Sequence, residues 1–368
     1  MRIALVVPGG VDRTGEYRVI PVLLALIARL ARHNDVHVYA LNQESAQSDW
    51  QLEGATIHNI GSHRTRVRAI RAICASHRDS PFDVVQAIWS GGCAMVAVAA
   101  AKLLHIPSAV HIAGGELVAL KDIGYGGRLT WKGRLREALV LRAASAITAA
   151  SAPILASLSD LGLRAQRVPL GIDLKTWPPR QPARRSEGRP AKLIHVASLN
   201  RVKDQPTLLQ ALALLMTAGL SFEMQIVGED TLGGEMQSLA ARLGLSDRVR
   251  FLGFLTQRQL RPVLETADLL IMSSRHEAGP VVVLEAAALG VPTVGTAVGH
   301  IAEWSPQAAI AVPVGNSAAL AAAIGDLLQD EEKRLRIASE ALNRSVAENA
   351  DYTAAQLQAL YARLRAAR

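Results

Sequence analysis

The strongest constraint in the chain is an alternation of short, continuously apolar segments with longer segments of helical spacing, which stops near the middle and starts again. Residues 2–7, 35–41, 84–87, 108–112 and 146–149 read as strands, and 17–31, 64–77 and 92–104 read as helices between them. Strands rich in Val and Ile without polar alternation are buried on both faces, which calls for a parallel sheet with helices on either side. Segment 178–190 breaks the pattern with four prolines, four arginines and no apolar run, and reads as a linker. Strands then recur at 193–197, 222–227, 249–252, 269–272 and 293–295, with helices at 206–218, 236–243, 257–265, 281–289, 318–328 and 331–348. The expected fold class is α/β, two doubly wound Rossmann-like domains facing across a cleft that forms the natural ligand site. A length of 368 residues suits two domains.

Composition narrows the class. With 50% apolar, 20% charged and 4% aromatic residues, the chain is neither disordered, collagen-like nor a disulfide framework. Cys74 and Cys93 are too few for a thiolate metal site and fit a reducing cytosol. The first ten residues read as a strand ending in Pro-Gly-Gly rather than a signal peptide. The longest apolar run, 93–101, falls far short of the roughly 20 residues of a membrane span. The net charge of +8 is uneven: up to Arg185 there are 23 Lys and Arg against 13 Asp and Glu, and beyond it 17 against 19.

Two nucleotide motifs fail. The turn after the first strand holds Gly9, Gly10 and Gly15, without the G-x-G-x-x-G spacing that lets a backbone approach a pyrophosphate. Gly10 and Gly15 have the outer spacing of a P-loop, but Glu16-Tyr17 stands where Lys-Ser/Thr is required. No Asp-x-Asp pair and no histidine cluster with ligand spacing occurs, so neither a resident metal nor another cofactor is expected.

The stretch from Ser273 to Ala286 carries the chemistry. It follows a strand and is expected to open a helix with Pro280 at its first position, so that the amides of Gly279, Val281 and Val282 offer a diphosphate the positive end of the helix. Glu285, in the second turn, suits a hydrogen bond to a sugar hydroxyl better than an anion. A capped helix with two incidental glutamates fits the same spacing. Glu277 and Glu285, with seven residues between them, lie in Ser-x-x-Glu-x-x-Pro and precede Gly290-Val291-Pro292. This pattern resembles the retaining glycosyltransferases of family 4, which have the GT-B architecture. Val168-Pro169-Leu170-Gly171-Ile172-Asp173, Val196-Ala197-Ser198-Leu199 with Lys203-Asp204, Val249 to Phe254, and Val298 to Glu303 match that family in the same order.

The resemblance implies domains at 1–177 (acceptor) and 191–350 (donor), a linker at 178–190, and a last helix at 351–368 that crosses back to the first domain. It implies that Lys203 neutralises the donor diphosphate, that Glu277 lies beside the transferred sugar, and that Glu285 holds the ribose. Gly228, Phe254 and Leu255 are then expected near the base, and Gly15, Glu116 and Tyr125 on the acceptor side. Ser198 departs from the family's usual arginine, and Arg201 is taken as its substitute. Ala113 replaces the sugar-contacting histidine of the family. His111 faces the other side of its strand, as a core residue.

The implied reaction transfers a sugar from a nucleotide-sugar donor to a glycan or lipid-linked acceptor with retention and without a metal, in cell-surface polysaccharide or glycolipid synthesis. A sugar-nucleotide epimerase of the same architecture and a non-catalytic binding subunit are the rivals. In 126–142, Arg128, Lys132, Arg134, Arg136 and Arg142 are interleaved with Leu129, Trp131, Leu135 and Leu139. Such a helix either lies on an anionic membrane at the cytoplasmic face or turns its apolar side to the core. Its basic residues alternate mainly with leucines rather than with a series of stacking aromatics, so nucleic acid is not an expected partner.

Overall fold

A computed structural model describes residues 1–186 and 188–367 and divides into two compact units. The first is Met1–Asp173 with the segment from Glu348 onward, and the second is Leu174–Ala347. Unit 1 runs β1 (Arg2–Val7), α1 (Pro21–Ala31), β2 (Asp35–Ala40), β3 (Ser48–Leu52), β4 (Ala55–Asn59), α2 (Thr65–Asp79), β5 (Val84–Ile88), α3 (Gly92–Leu104), β6 (Ser108–Ile112), α4 (Trp131–Ala143), β7 (Ala146–Ala149), α5 (Ala152–Asp160) and β8 (Gln166–Arg167). Its sheet has the order β3-β4-β2-β1-β5-β6-β7-β8, parallel except for the β3–β4 hairpin.

Unit 2 runs β9 (Ala191–Val196), α6 (Gln205–Thr217), β10 (Phe222–Val227), α7 (Glu235–Arg242), β11 (Val249–Gly253), α8 (Gln257–Leu264), β12 (Leu269–Met272), α9 (Val281–Ala288), β13 (Thr293–Thr296), α10 (Gly299–Trp304), β14 (Ile310–Val312), α11 (Ser317–Gln329) and α12 (Glu331–Ala347). Its all-parallel sheet has the order β11-β10-β9-β12-β13-β14. The apolar strands are covered on both faces as their composition requires: Leu193, Met224, Ile226, Leu269, Ile271 and Val294 pack with Leu208, Leu212, Leu320 and Ile324 in one core cluster.

Three details differ from the sequence reading. The first helix begins at Pro21 rather than at residue 17, because the residue before a proline is pushed to an extended conformation, and Ile20 has φ −107 and ψ 102. The β3–β4 hairpin was not expected; its short strands alternate in burial and carry little apolar sequence. Segment 178–190 is not a free linker but lies within unit 2, apart from Glu187, which falls outside the described residues. Arg189 makes two 2.7 Å bonds to Asp268, the Arg185 amide donates to Glu331 at 2.8 Å, and the Arg180 amide donates to the Ala288 carbonyl at 2.8 Å. Proline-rich sequence signals the irregular backbone but not the carboxylates waiting for its arginines.

The last helix, α13 (Ala350–Ala366), belongs to unit 1, and Arg368 lies outside the described residues. Thr353 Oγ1 accepts from the Gly171 amide at 2.9 Å and donates to the Pro169 carbonyl at 2.7 Å. Gly171 is needed there, since a Cβ would lie 2.2 Å from the Glu348 carbonyl oxygen. Among the described residues no helix is long and apolar enough to cross a membrane.

Candidate active site

In unit 2 the strand order reverses between β9 and β12, and loops leaving the C-terminal ends of such a pair diverge to open a crevice. Lys203 follows β9 and Glu277 follows β12. Their side chains meet, with Lys203 Nζ 2.5 Å from Glu277 Oε1, and Ser274 Oγ donates to the same oxygen at 2.7 Å. The two loops are laced together: Ser273 Oγ donates to the Lys203 carbonyl at 2.8 Å, and the Arg275 amide to the Val202 carbonyl at 2.8 Å. Beneath them buried His195 lies 2.9 Å from the Ile271 carbonyl through Nδ1, and Gln205 Nε2 is 3.2 Å from its Nε2 and 3.2 Å from the Ser198 carbonyl. Burial pushes His195 down to about 4, so the ring stays neutral and Nδ1 carries the donated proton.

Helix α9 starts at Val281, and Pro280 is its N-cap rather than its first helical residue, with φ −66 and ψ 113. No side chain caps this end, so the first-turn amides, including those of Val281 and Val282, face outward just after Gly279. Glu285 is buried and accepts from Gln257 Nε2 at 3.1 Å. Burial pushes its carboxyl up to about 7, against the opposing pull of that bond.

Beside this pair, Gly228 joins three strand ends. Its amide donates to the Gly253 carbonyl at 2.8 Å, and with φ +147 its missing Cβ would sit 2.0 Å from the Ala197 carbonyl oxygen. Ser198 is exposed at the same rim, Phe254 is 58% exposed, and Leu255 is half-buried. Arg201, expected to supply the cation missing at Ser198, has its guanidinium 2.8 Å from Glu235 at the start of α7, and both side chains are exposed.

In unit 1, Gly15 lies in a turn ahead of α1 in which its amide donates to the Asp12 carbonyl at 3.0 Å. Glu116 is held from within the fold: its carboxylate accepts from the amides of Ser90 at 3.1 Å, Ala113 at 3.4 Å and Gly114 at 2.6 Å. It therefore braces the loops after β5 and β6 instead of projecting freely, and burial raises its pKa in spite of those amides. Tyr125 packs on Gly115, where an added Cβ would lie 2.5 Å from its hydroxyl. His111 is buried with Nδ1 2.9 Å from Thr148 Oγ1, a core position. Helix α4 turns Gly133, Glu137 and Leu141 inward, and Trp131, Leu135 and Leu139 are 63%, 52% and 61% exposed. Lys132, Arg134 and Arg136 are exposed with them, while Arg128 is half-buried.

Residues 180–344 match the model of glycosyl transferases group 1, and residues 19–171 match that of the glycosyl transferase 4-like domain. A D-inositol 3-phosphate glycosyltransferase of Frankia alni is 30% identical over 378 residues, spanning 92% of this chain and 91% of that protein. The chain belongs to the group 1 glycosyltransferases. A D-inositol 3-phosphate glycosyltransferase of Corynebacterium urealyticum is 32% identical over 208 residues, and this glycosyltransferase spans only 49% of its length. Among solved structures, Anabaena HepE in complex with UDP and glucose superposes with a TM-score of 0.74 at 19% identity, over 98% of this chain and 99% of that one, which supports the GT-B fold.

Within this glycosyltransferase the sequence pattern found Lys203 and Glu277 but not their supports. Ser274 lies inside the quoted motif and only its bond to Glu277 reveals its part. Gln257 and Gln205 carry no motif at all. Glu137 has a signal in the i, i+4, i+8 stripe Gly133-Glu137-Leu141, which marks one face of a helix.

Proposed function

We propose that this glycosyltransferase moves a sugar from a nucleotide-sugar donor to a glycan or lipid-linked acceptor with retention of anomeric configuration. The observation that carries it is the Lys203–Glu277 pair at the point where the strand order of unit 2 reverses, next to an uncapped helix end. Lys203 and the α9 amides meet the charge that builds on the departing diphosphate, and such preorganised donors are worth most where that charge develops. Glu277, displaced from Lys203 by the diphosphate, is left beside the sugar to accept its hydroxyls. The bond from the anomeric carbon to the phosphate oxygen breaks as the acceptor oxygen attacks from the same face. The acceptor proton passes to the leaving phosphate oxygen, so no resident metal or enzymic nucleophile is required. Glu285, Gly228, Phe254 and Leu255 are assigned to the nucleoside.

The acceptor is assigned to unit 1, with Gly15 and Tyr125 near it. Counted by unit, unit 1 has 22 Lys and Arg against 15 Asp and Glu, and unit 2 has 18 against 17. The exposed Trp131-Leu135-Leu139 ridge with Lys132, Arg134 and Arg136 beside it suits the headgroup layer of an anionic membrane, and this supports a reaction at its cytoplasmic face.

A thermal-shift screen against UDP-, GDP- and ADP-sugars tests the donor. One of them at 100 times its Kd is expected to stabilise the protein by about 2.7 kcal/mol, and none does so in Lys203→Ala. Nucleoside diphosphate release that depends on added acceptor marks transfer. Interconversion of the sugar without an acceptor marks an epimerase and overturns the proposal.

A further inference from the structure

We propose that unit 1 holds, beyond the ends of β5 and β6, a pocket for a hydroxyl-bearing arm of a neutral saccharide or polyol, with the Glu137 carboxylate as the group that accepts its hydrogen bonds. The inference rests on the reading of unit 1 as the side that receives a saccharide.

The cavity has a volume of about 60 Å³ and is lined by Gly91, Glu116, Gly127, Gly133, Arg136 and Glu137 among others. Three of the lining residues are glycines, which put no side chain into the space next to Glu137. Glu137 is 7% exposed, and neither of its oxygens has a hydrogen-bond partner. A buried carboxylate without partners is costly, and native proteins seldom keep one without a reason. Its neighbour Glu116 shows the contrast, because three backbone amides satisfy that carboxylate from within the fold.

The chemistry of the ligand follows from the groups present. An ionised carboxylate only accepts, so whatever fills the cavity must donate, and its negative charge repels phosphate and carboxylate ligands. Arg128 and Arg136 act on Glu137 with positive charge and disfavour an ammonium, whereas Arg136 can donate to the oxygen of a hydroxyl whose proton goes to Glu137. A cavity of that volume has room for a small polar group such as a hydroxymethyl arm.

Glu137→Gln and Glu137→Leu, compared with wild type by saturation-transfer NMR, test the proposal. The probes are methyl α-D-glucopyranoside, myo-inositol, methylammonium and inorganic phosphate. At least one of the two polyols is expected to bind wild type and to weaken tenfold or more in both variants, with methylammonium and phosphate failing to displace it. Free Glu137→Leu is expected to melt about 2–4 °C above wild type, because the orphaned carboxylate is gone. Glu116, Arg128 and Arg136 are the charged groups acting on Glu137, whose carboxyl is pushed up to about 7 chiefly by burial. Polyol affinity in wild type should therefore weaken as pH falls through about 7 and stay flat in Glu137→Gln. Failure of both polyols to bind, unchanged binding in the variants, displacement by methylammonium, or a lowered melting temperature in Glu137→Leu would each overturn the proposal. Nucleotide-sugar thermal shifts on the same samples report separately on donor use.

Discussion

The crevice of unit 2 and the loops beyond β5 and β6 of unit 1 handle charge in opposite ways. In unit 2, ions are met by ions: Lys203 holds Glu277 and Arg201 holds Glu235. In unit 1, Arg13 holds Glu44 beyond β1 and β2, but beyond β5 and β6 Glu116 rests on backbone amides and neither Glu137 oxygen has a hydrogen-bond partner. A rim of exchangeable ion pairs suits a ligand that brings its own charge, as a diphosphate does. Uncompensated acceptors suit a neutral ligand that brings hydroxyl protons. The near-neutral balance of unit 2 and the basic excess of unit 1 give no hint of this division, because the excess lies on exposed helix faces such as α4 and not at the rim.

The division is open to direct attack. The largest effect is expected from Lys203→Ala and Glu277→Ala, each lowering kcat/KM by about 10²–10³ in a steady-state assay, the scale of losing one preorganised electrostatic contact. Asp268→Ala should cost about 2–3 kcal/mol in denaturant unfolding, below the cost of breaking a wholly buried pair because Arg189 is 31% exposed. Next comes pH. Glu137 and Glu285 are pushed up to about 7 in the folded protein, so between the ordinary glutamate range and about 7 the folded state keeps protons that the unfolded chain has released. Stability should therefore fall as pH rises through that window. The Glu137→Gln, Glu285→Gln double variant should flatten the fall, as followed by chemical denaturation at several pH values. The smallest effect on stability, within about 0.5 kcal/mol, is expected from replacing exposed Trp131, Leu135 and Leu139 with serine. The same triple variant should lose co-sedimentation with anionic vesicles at low salt while keeping its activity on a soluble acceptor.

Much of the fold was legible because buried parallel strands announce themselves as continuous apolar runs, and the restart of that pattern marked two units. Where burial is partial the signal fades. The β3–β4 hairpin, Ser48–Leu52 and Ala55–Asn59, is half-exposed and polar and was missed. The start of α1 was misplaced because the apolar periodicity runs past Pro21 into a loop. In the site, a short motif around one helix end singled out Glu277 and Glu285, and the family resemblance of a separate segment after β9 singled out Lys203. The partners of Arg201 and Glu116 were not legible for a common reason: each is distant in sequence, Glu235 for one and the Ser90 amide for the other, and spacing does not encode distant partners. The exposed ridge of α4 was recognised as apolar, but its direction was settled only by Gly133, Glu137 and Leu141 turning inward.

The Lys203–Glu277 pair is proposed to support transfer from a nucleotide sugar with retention. The most direct measurement is a proton NMR time course of the first-formed product with the donor found by thermal shift, run on wild type and on Lys203→Ala and Glu277→Ala proteins that fold normally. Transfer with retention gives a product with the anomeric configuration of the donor, formed about 10²–10³ more slowly in each variant. An inverted product, or variants that turn over at the wild-type rate, would contradict it.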